Sequence, residues 1–265
     1  MDVTATVARM IRESAAKEGA FESPRNLAKL QHLLGKWRQK LIDEEMIRRE
    51  GLTVRGGPFA GMTLPAKAAE GCLTPKLLGC YEADLHPAIA AIDPETAVVL
   101  DIGCAEGYYA VGLARRMPGV RVEAHDTNPV AQEACRELAA LNGVGDRVAV
   151  GGEFRGADFA RFAGRRAFLL MDIEGGEDAL LRPDLYPALG AMPIVVECHD
   201  VFRRGLADEI AGRFAATHDV ERILPRLAPM TLPAWFDELG HMDQLLATWE
   251  WRSGPTPWLV MRPKG

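Results

Sequence analysis

Two short segments hold the side chains whose types and spacing can do chemistry. Residues 168–177, FLLMDIEGGE, end an apolar run in Asp172, Glu174 and Glu177, and residues 194–200, IVVECHD, end another in Glu197, His199 and Asp200. Burying an unpaired carboxylate costs several kcal/mol, so each run should leave the core at its acidic end, where something that favours negative charge gathers. For a hydroxyl nucleophile a general base adds roughly 10²–10⁴-fold, and His199 has the most suitable unperturbed pKa, about 6.5. This assigns positioning to Asp172 and Glu174, and the base to His199 or Glu174. A second chemistry uses the same donors, since Asp172, Glu197, His199 and Asp200 suit Mg²⁺ or Mn²⁺. A third reading is structural: Glu174 and Glu177 fall in the first turn of the next helix, where negative charge complements the dipole.

A glycine turn lies upstream. Residues 98–110, VVLDIGCAEGYYA, read as a buried strand, a tight turn and a helix start, which bring backbone N–H groups and a helix N-terminus against a polar ligand. A dinucleotide fingerprint starting at Gly103 needs glycines where the chain has Ala105 and Tyr108, and no lysine follows to make a phosphate loop. The next strand, VRVEAHD, ends in Asp126, placed to accept hydrogen bonds from both hydroxyls of an adenosine ribose. The following DTNP also suits a turn in which Asp126 or Asn128 caps a helix.

These residues need a scaffold. From Thr96 on, apolar strands alternate with helices as in a parallel sheet, with strands expected at 97–101, 121–125, 147–150, 167–171, 193–197, 219–224 and 258–261. The connecting helices are expected at 107–117, 129–142, 176–189 and 203–216. Before them come a helix over residues 4–18 and a second to about Arg49, capped by Ser23 with Pro24 in its first turn. Leu27, Leu30, Leu34, Trp37 and Leu41 make a packing seam on that helix, for docking on its own domain, for a homodimer, or as a lid. Residues 52–65 read as two short strands about glycine turns, and 74–91 as helical. Residues 1–92 therefore form a helical extension with a hairpin, and 93–265 the main domain. Near the C-terminus, Trp249, Trp251 and Arg252 precede a Gly-Pro turn that can overhang the crevice and stack on an acceptor, whereas Trp258 belongs to the closing strand.

A net charge of −6 argues against nucleic acid as the main partner. No apolar run is long enough to span a membrane, and the N-terminus lacks a signal peptide's apolar segment, so a cytoplasmic protein is expected. Five scattered cysteines show no zinc spacing and read as free thiols.

The D-I-G-C-A-E-G turn resembles motif I of the class I S-adenosylmethionine-dependent methyltransferases, with Ala105 in place of the usual middle glycine. MDIEGGEDALL and IVVECHD resemble the segments after strands four and five in the FkbM-type methyltransferases, and GGPFAGMTLP…PKLLGCYEADL resembles what precedes the fold there. The resemblance implies a Rossmann-like class I methyltransferase fold, with a seven-stranded, mostly parallel sheet whose last strand is antiparallel. It also implies that Gly103, Ala105 and Gly107 approach the methionine part of S-adenosylmethionine, with Asp101 as an acidic anchor for the turn or the amino group. Asp126 would hold the ribose, Glu153 the adenine, and Asp172 would lie at the cofactor as well as the acceptor; Tyr81 and Glu82 would lie nearby. The implied reaction is methyl transfer to an oxygen of a small molecule of sugar or polyketide-like type. Glu197, Trp249, Trp251 and Arg252 are candidate acceptor contacts, and a divalent metal is allowed but not required. N-methylation, or S-adenosylmethionine binding without catalysis through the helical arm, are the alternatives.

Overall fold

The computed structural model describes residues 2–17, 19–66, 72–226, 232–252 and 254–264. Seven strands, β1 (Val98–Ile102), β2 (Arg121–His125), β3 (Val148–Gly151), β4 (Ala167–Met171), β5 (Ile194–Glu197), β6 (His218–Ile223) and β7 (Trp258–Pro263), form one sheet in the order β3-β2-β1-β4-β5-β7-β6. The first five are parallel, and β7 runs antiparallel between β5 and β6. This is the seven-stranded, mostly parallel sheet with an antiparallel last strand that the resemblance implies. Every residue of β1, β4 and β5 is buried, because helices cover both faces, and that is why these strands read as unbroken apolar runs. Strand order reverses between β1 and β4, whose register pairs Ile102 with Met171, so the chain leaves both strands beside each other and opens a crevice there.

The N-terminal part holds α1 (Val3–Ala15), α2 (Pro24–Glu50), α3 (Leu73–Leu78) and α4 (His86–Ala90). Ser23 caps α2 by accepting the Asn26 N–H at 3.2 Å, with Pro24 in the first turn as expected. The leucine seam is only partly used: Leu27 and Leu34 stay exposed, while Ile42 and Met46, about two and three turns beyond Leu34, are buried. The same core cluster joins Ile42, Met46, Phe59, Met62 and Leu77 to Val99, Tyr108, Val111 and Val122 of the sheet and its helices. The second half of α2 and the elements after it, from Ile42 to Ile89, therefore share a core with the sheet. Phe59 lies so close to α5 (Tyr108–Arg116) that a Cβ on Gly112 would sit 2.5 Å from its ring. A buried Lys76–Glu106 ion pair fastens α3 to the glycine turn.

Three expected elements differ. In place of a helix over 176–189 there is one turn, α7 (Glu177–Leu180), and later a 3-10 turn at Pro187–Ala191. Pro183 lacks an N–H and pushes Arg182 out of helical geometry, so the pattern cannot propagate. The stretch 74–91 breaks after α3, where Gly79 takes a left-handed conformation at φ 77°, and resumes in a 3-10 turn and α4. Residues 52–65 contribute one bridge, Thr53 to Thr63, around a 3-10 turn, rather than two strands. The remaining helices are α6 (Pro129–Leu141), α8 (Leu206–Phe214) and α9 (His241–Ala247).

Candidate active site

At the carboxyl ends of β1, β2 and β4 lies a cleft of about 620 Å³. Its floor is the glycine turn. Gly103, at φ 86°, passes so close to β4 that a Cβ there would meet the Asp172 carbonyl oxygen at 1.6 Å, and one on Gly107, at φ 90°, would meet the Cys135 Sγ at 2.6 Å. Only glycine fits either position. Ala105 is also left-handed, at φ 46°, and its N–H donates to Asp126 Oδ2 at 3.0 Å. Asp126 Oδ1 accepts from the Asn128 N–H at 2.8 Å, while Asn128 caps α6 through its own side chain, so Asp126 both shapes the turn and lines the cleft.

Asp101 lies beneath the turn, 1% exposed, and does not line the cleft. Burial pushes its carboxyl up to about 7, partly offset by the Ala110 backbone N–H, and its Oδ2 has no partner. It is placed as an anchor of the turn rather than as a ligand contact. Glu153 lies at the opposite wall, exposed and paired with Arg155 at 3.0 Å.

Asp172 and Glu174 also line this cleft, Glu174 exposed at its lip and left-handed at φ 49°. Beside Asp172, the ends of β4 and β5 bring together Asp172, Glu197 and His199. The His199 Nε2 lies 3.6 Å from Asp172 Oδ1 and 3.5 Å from Glu197 Oε2, and its Nδ1 is hydrogen-bonded to Glu177. Glu177 does begin α7, as expected, but its carboxylate turns inward and is fully buried. Its link to His199 is the contact that the sequence reading missed, since nothing local in either segment marks it. Asp200 leaves the cluster: its Oδ1 accepts the Ala207 N–H at 2.9 Å in the first turn of α8. The four-ligand metal set considered above is thus reduced to Asp172, Glu197 and His199.

Burial pulls the His199 pKa down, but the Glu177 hydrogen bond and the charge of Glu197 outweigh it, so the net shift is upward. Burial, reinforced by the charges of Glu197 and Glu82, holds the Asp172 carboxyl well above the usual carboxylate range.

Arg252 closes the far side. It binds Glu197 Oε1, Glu82 Oε1 at 2.8 Å and Glu250 Oε2 at 3.0 Å, and donates to Thr256 Oγ1 at 2.8 Å. Glu82 is itself left-handed, accepts from the Tyr109 hydroxyl, and is pushed up to about 7 by burial against the pull of Arg252. Tyr81 packs beside it, edge-on to Tyr108. The two tryptophans are elsewhere. Trp251 stacks on Trp249 at 4.6 Å, meets His32 edge-on, and would be 2.7 Å from a Cβ at Gly35. Its Nε1 donates to Gln39. The pair docks α2 and does not line the cleft; the chain turns at Trp251, at φ 59°, and Arg252 goes instead to Glu82 and Glu197.

No family model and no curated protein matches the sequence. Solved structures do. The O-methyltransferase of Bacillus cereus, in complex with S-adenosylhomocysteine, is 13% identical, with 69% of this chain and 88% of that one covered at a TM-score of 0.42. The C-terminal domain of precorrin-6Y C5,15-methyltransferase from Rhodobacter capsulatus is 16% identical, over 68% and 87%, at 0.46. The human methyltransferase 10 domain containing protein is 10% identical, over 86% and 96%, at 0.47. At these identities and TM-scores the function has to be read from the site itself.

Proposed function

We propose that the chain is an S-adenosylmethionine-dependent methyltransferase acting on an oxygen of a small molecule, of sugar or natural-product type, as its FkbM-like segments imply. The observation that carries this reading is the lining of the cleft. Asp126, Glu153, Asp172 and Glu174 line it, and no lysine or arginine does among the described residues. A pyrophosphate would find no cation there. A ligand with a sulfonium, an amino group and a ribose finds acids for all three.

The residues fit that ligand. The Gly103 and Gly107 cradle, which a Cβ would fill, lets backbone approach it, and Asp126 has remaining lone pairs for ribose hydroxyls. When bound, S-adenosylmethionine supplies a methyl on a positive sulfur, which leaves with the C–S electron pair as a neutral thioether. The rest would be done by the chain: the cleft would hold the cofactor, and the cluster of Asp172, Glu197 and His199 would take the proton that the acceptor oxygen loses as its bond to carbon forms. Glu177 holds the imidazole for this.

Calorimetry tests the cofactor. S-adenosylhomocysteine should bind and NAD should not; tight NAD binding without any effect of S-adenosylhomocysteine would sink the reading. Incubating labelled S-adenosylmethionine with fractionated small-molecule extracts then identifies the acceptor. Label appearing only on amines would move the assignment to N-methylation.

A further inference from the structure

We infer that Asp172 Oδ1, Glu197 Oε2 and His199 Nε2 form a binding site for one divalent first-row metal ion. The argument is one of donors and acceptors. Glu177 accepts at Nδ1 of His199, which requires the ring proton on Nδ1 and leaves a lone pair on Nε2 in the neutral ring. In that state the lone pair faces two carboxylate oxygens, Glu197 Oε2 at 3.5 Å and Asp172 Oδ1 at 3.6 Å. His199 is 6% exposed and its Nε2 makes no hydrogen bond; Asp172 Oδ1 is a buried oxygen without any partner. The three atoms lie within 4.8 Å of one another, and a cation at their centre would satisfy the unpartnered Asp172 oxygen together with Nε2 and Glu197.

The dimensions agree. Metal–ligand bonds of about 2.1 Å put neighbouring donors about 3.0 Å apart in an octahedron and about 3.4 Å apart in a tetrahedron. Spacings of 3.5 and 3.6 Å from Nε2 lie close to the tetrahedral value, and all three donors lie within 4.8 Å of one another. Glu197 can serve both neighbours, because Arg252 takes its Oε1 and leaves Oε2 for the ion. Glu177 is then an outer carboxylate that orients the ligating imidazole, an arrangement whose loss commonly weakens metal binding 10–100-fold. One nitrogen and two oxygens favour Mn²⁺ or Zn²⁺ over Mg²⁺. The role of such an ion in methyl transfer, lowering the pKa of an acceptor hydroxyl beside the cleft in place of proton uptake at Nε2, rests on the function proposed above; the binding itself does not.

The test uses full-length protein stripped with chelator and titrated with Mn²⁺ and Zn²⁺ by calorimetry, with pulsed electron spin resonance on the Mn²⁺ form. Expected are one ion per chain and a directly coordinated nitrogen signal that vanishes in His199→Ala. Affinity should fall at least 100-fold in His199→Ala and Asp172→Asn, and 10–100-fold in Glu177→Gln. Circular dichroism reports whether each variant is folded, and S-adenosylhomocysteine binding does so for His199→Ala and Glu177→Gln. Failure of both ions to bind the unmutated protein at one per chain overturns the inference, as does binding that survives His199→Ala. Metal binding without S-adenosylhomocysteine binding would instead remove only the methyltransferase reading.

Discussion

Glu177 and His199, 22 residues apart and on the connections that follow β4 and β5, are hydrogen-bonded to each other in the interior beside the crevice. Through this link the first residue of a one-turn helix fixes which ring nitrogen faces Asp172 and Glu197. The orientation of the His199 ring is thus set from behind by a residue that does not line the cleft.

Asp126 should control cofactor affinity. Asp126→Ala removes a charged acceptor for the ribose and for the Ala105 N–H, a loss of about 1.5–3 kcal/mol, or roughly ten- to hundred-fold in the S-adenosylhomocysteine Kd by calorimetry. Unchanged affinity would show that the ribose lies elsewhere.

Gly103→Ala should damage both stability and binding. The new methyl would overlap the Asp172 carbonyl oxygen, and the backbone is left-handed, so a cost of about 2–4 kcal/mol is expected, a fall in Tm of roughly 5–10 °C. Gly119→Ala, where nothing lies within 4 Å of the added carbon, is the control and should melt near the unmutated protein.

The buried Asp101 makes stability depend on pH in a defined direction. Its pKa rises from 3.8 to about 7 on folding, so between those values the folded state holds more protons than the unfolded one. Stability is therefore lost as pH rises through that window, and Glu82, raised from 4.5 to about 7, adds to the loss. Relative to the unmutated protein, Asp101→Asn should gain stability steadily from pH 4 to pH 7.5 in thermal unfolding without cofactor. Parallel curves for the two proteins would refute this assignment.

Trp251→Ala separates docking from acceptor contact. Removing the ring takes away its stacking on Trp249, its packing on Gly35 and the Gln39 hydrogen bond, which should cost about 2 kcal/mol or more and lower Tm. S-adenosylhomocysteine affinity should stay within a factor of about three, well under 1 kcal/mol. A stable variant with altered acceptor KM would return the tryptophan to the acceptor site.

Much of this protein is written in local sequence. The parallel strands could be read because burial on both faces demands apolar runs, and the glycine turn because a left-handed backbone at Gly103 and Gly107 leaves no choice of residue. Asp126 could be read as well, since its place follows from strand length and turn chemistry. Helix lengths were less legible where prolines or a left-handed glycine intervene, as after Leu180 and at Gly79.

Only the tertiary structure decided how the acids divide. Glu174, Glu177, Glu197 and Asp200 are alike in sequence terms, yet one is exposed at the lip, one is buried against His199, one is shared with Arg252, and one caps α8. The division depends on distances between strand ends that are far apart along the chain. Likewise Trp251 and Arg252 are neighbours in sequence, but a left-handed backbone at Trp251 sends one to α2 and the other to the acidic cluster. Which side of a turn a side chain takes is settled by what packs there, and composition and periodicity carry no record of it.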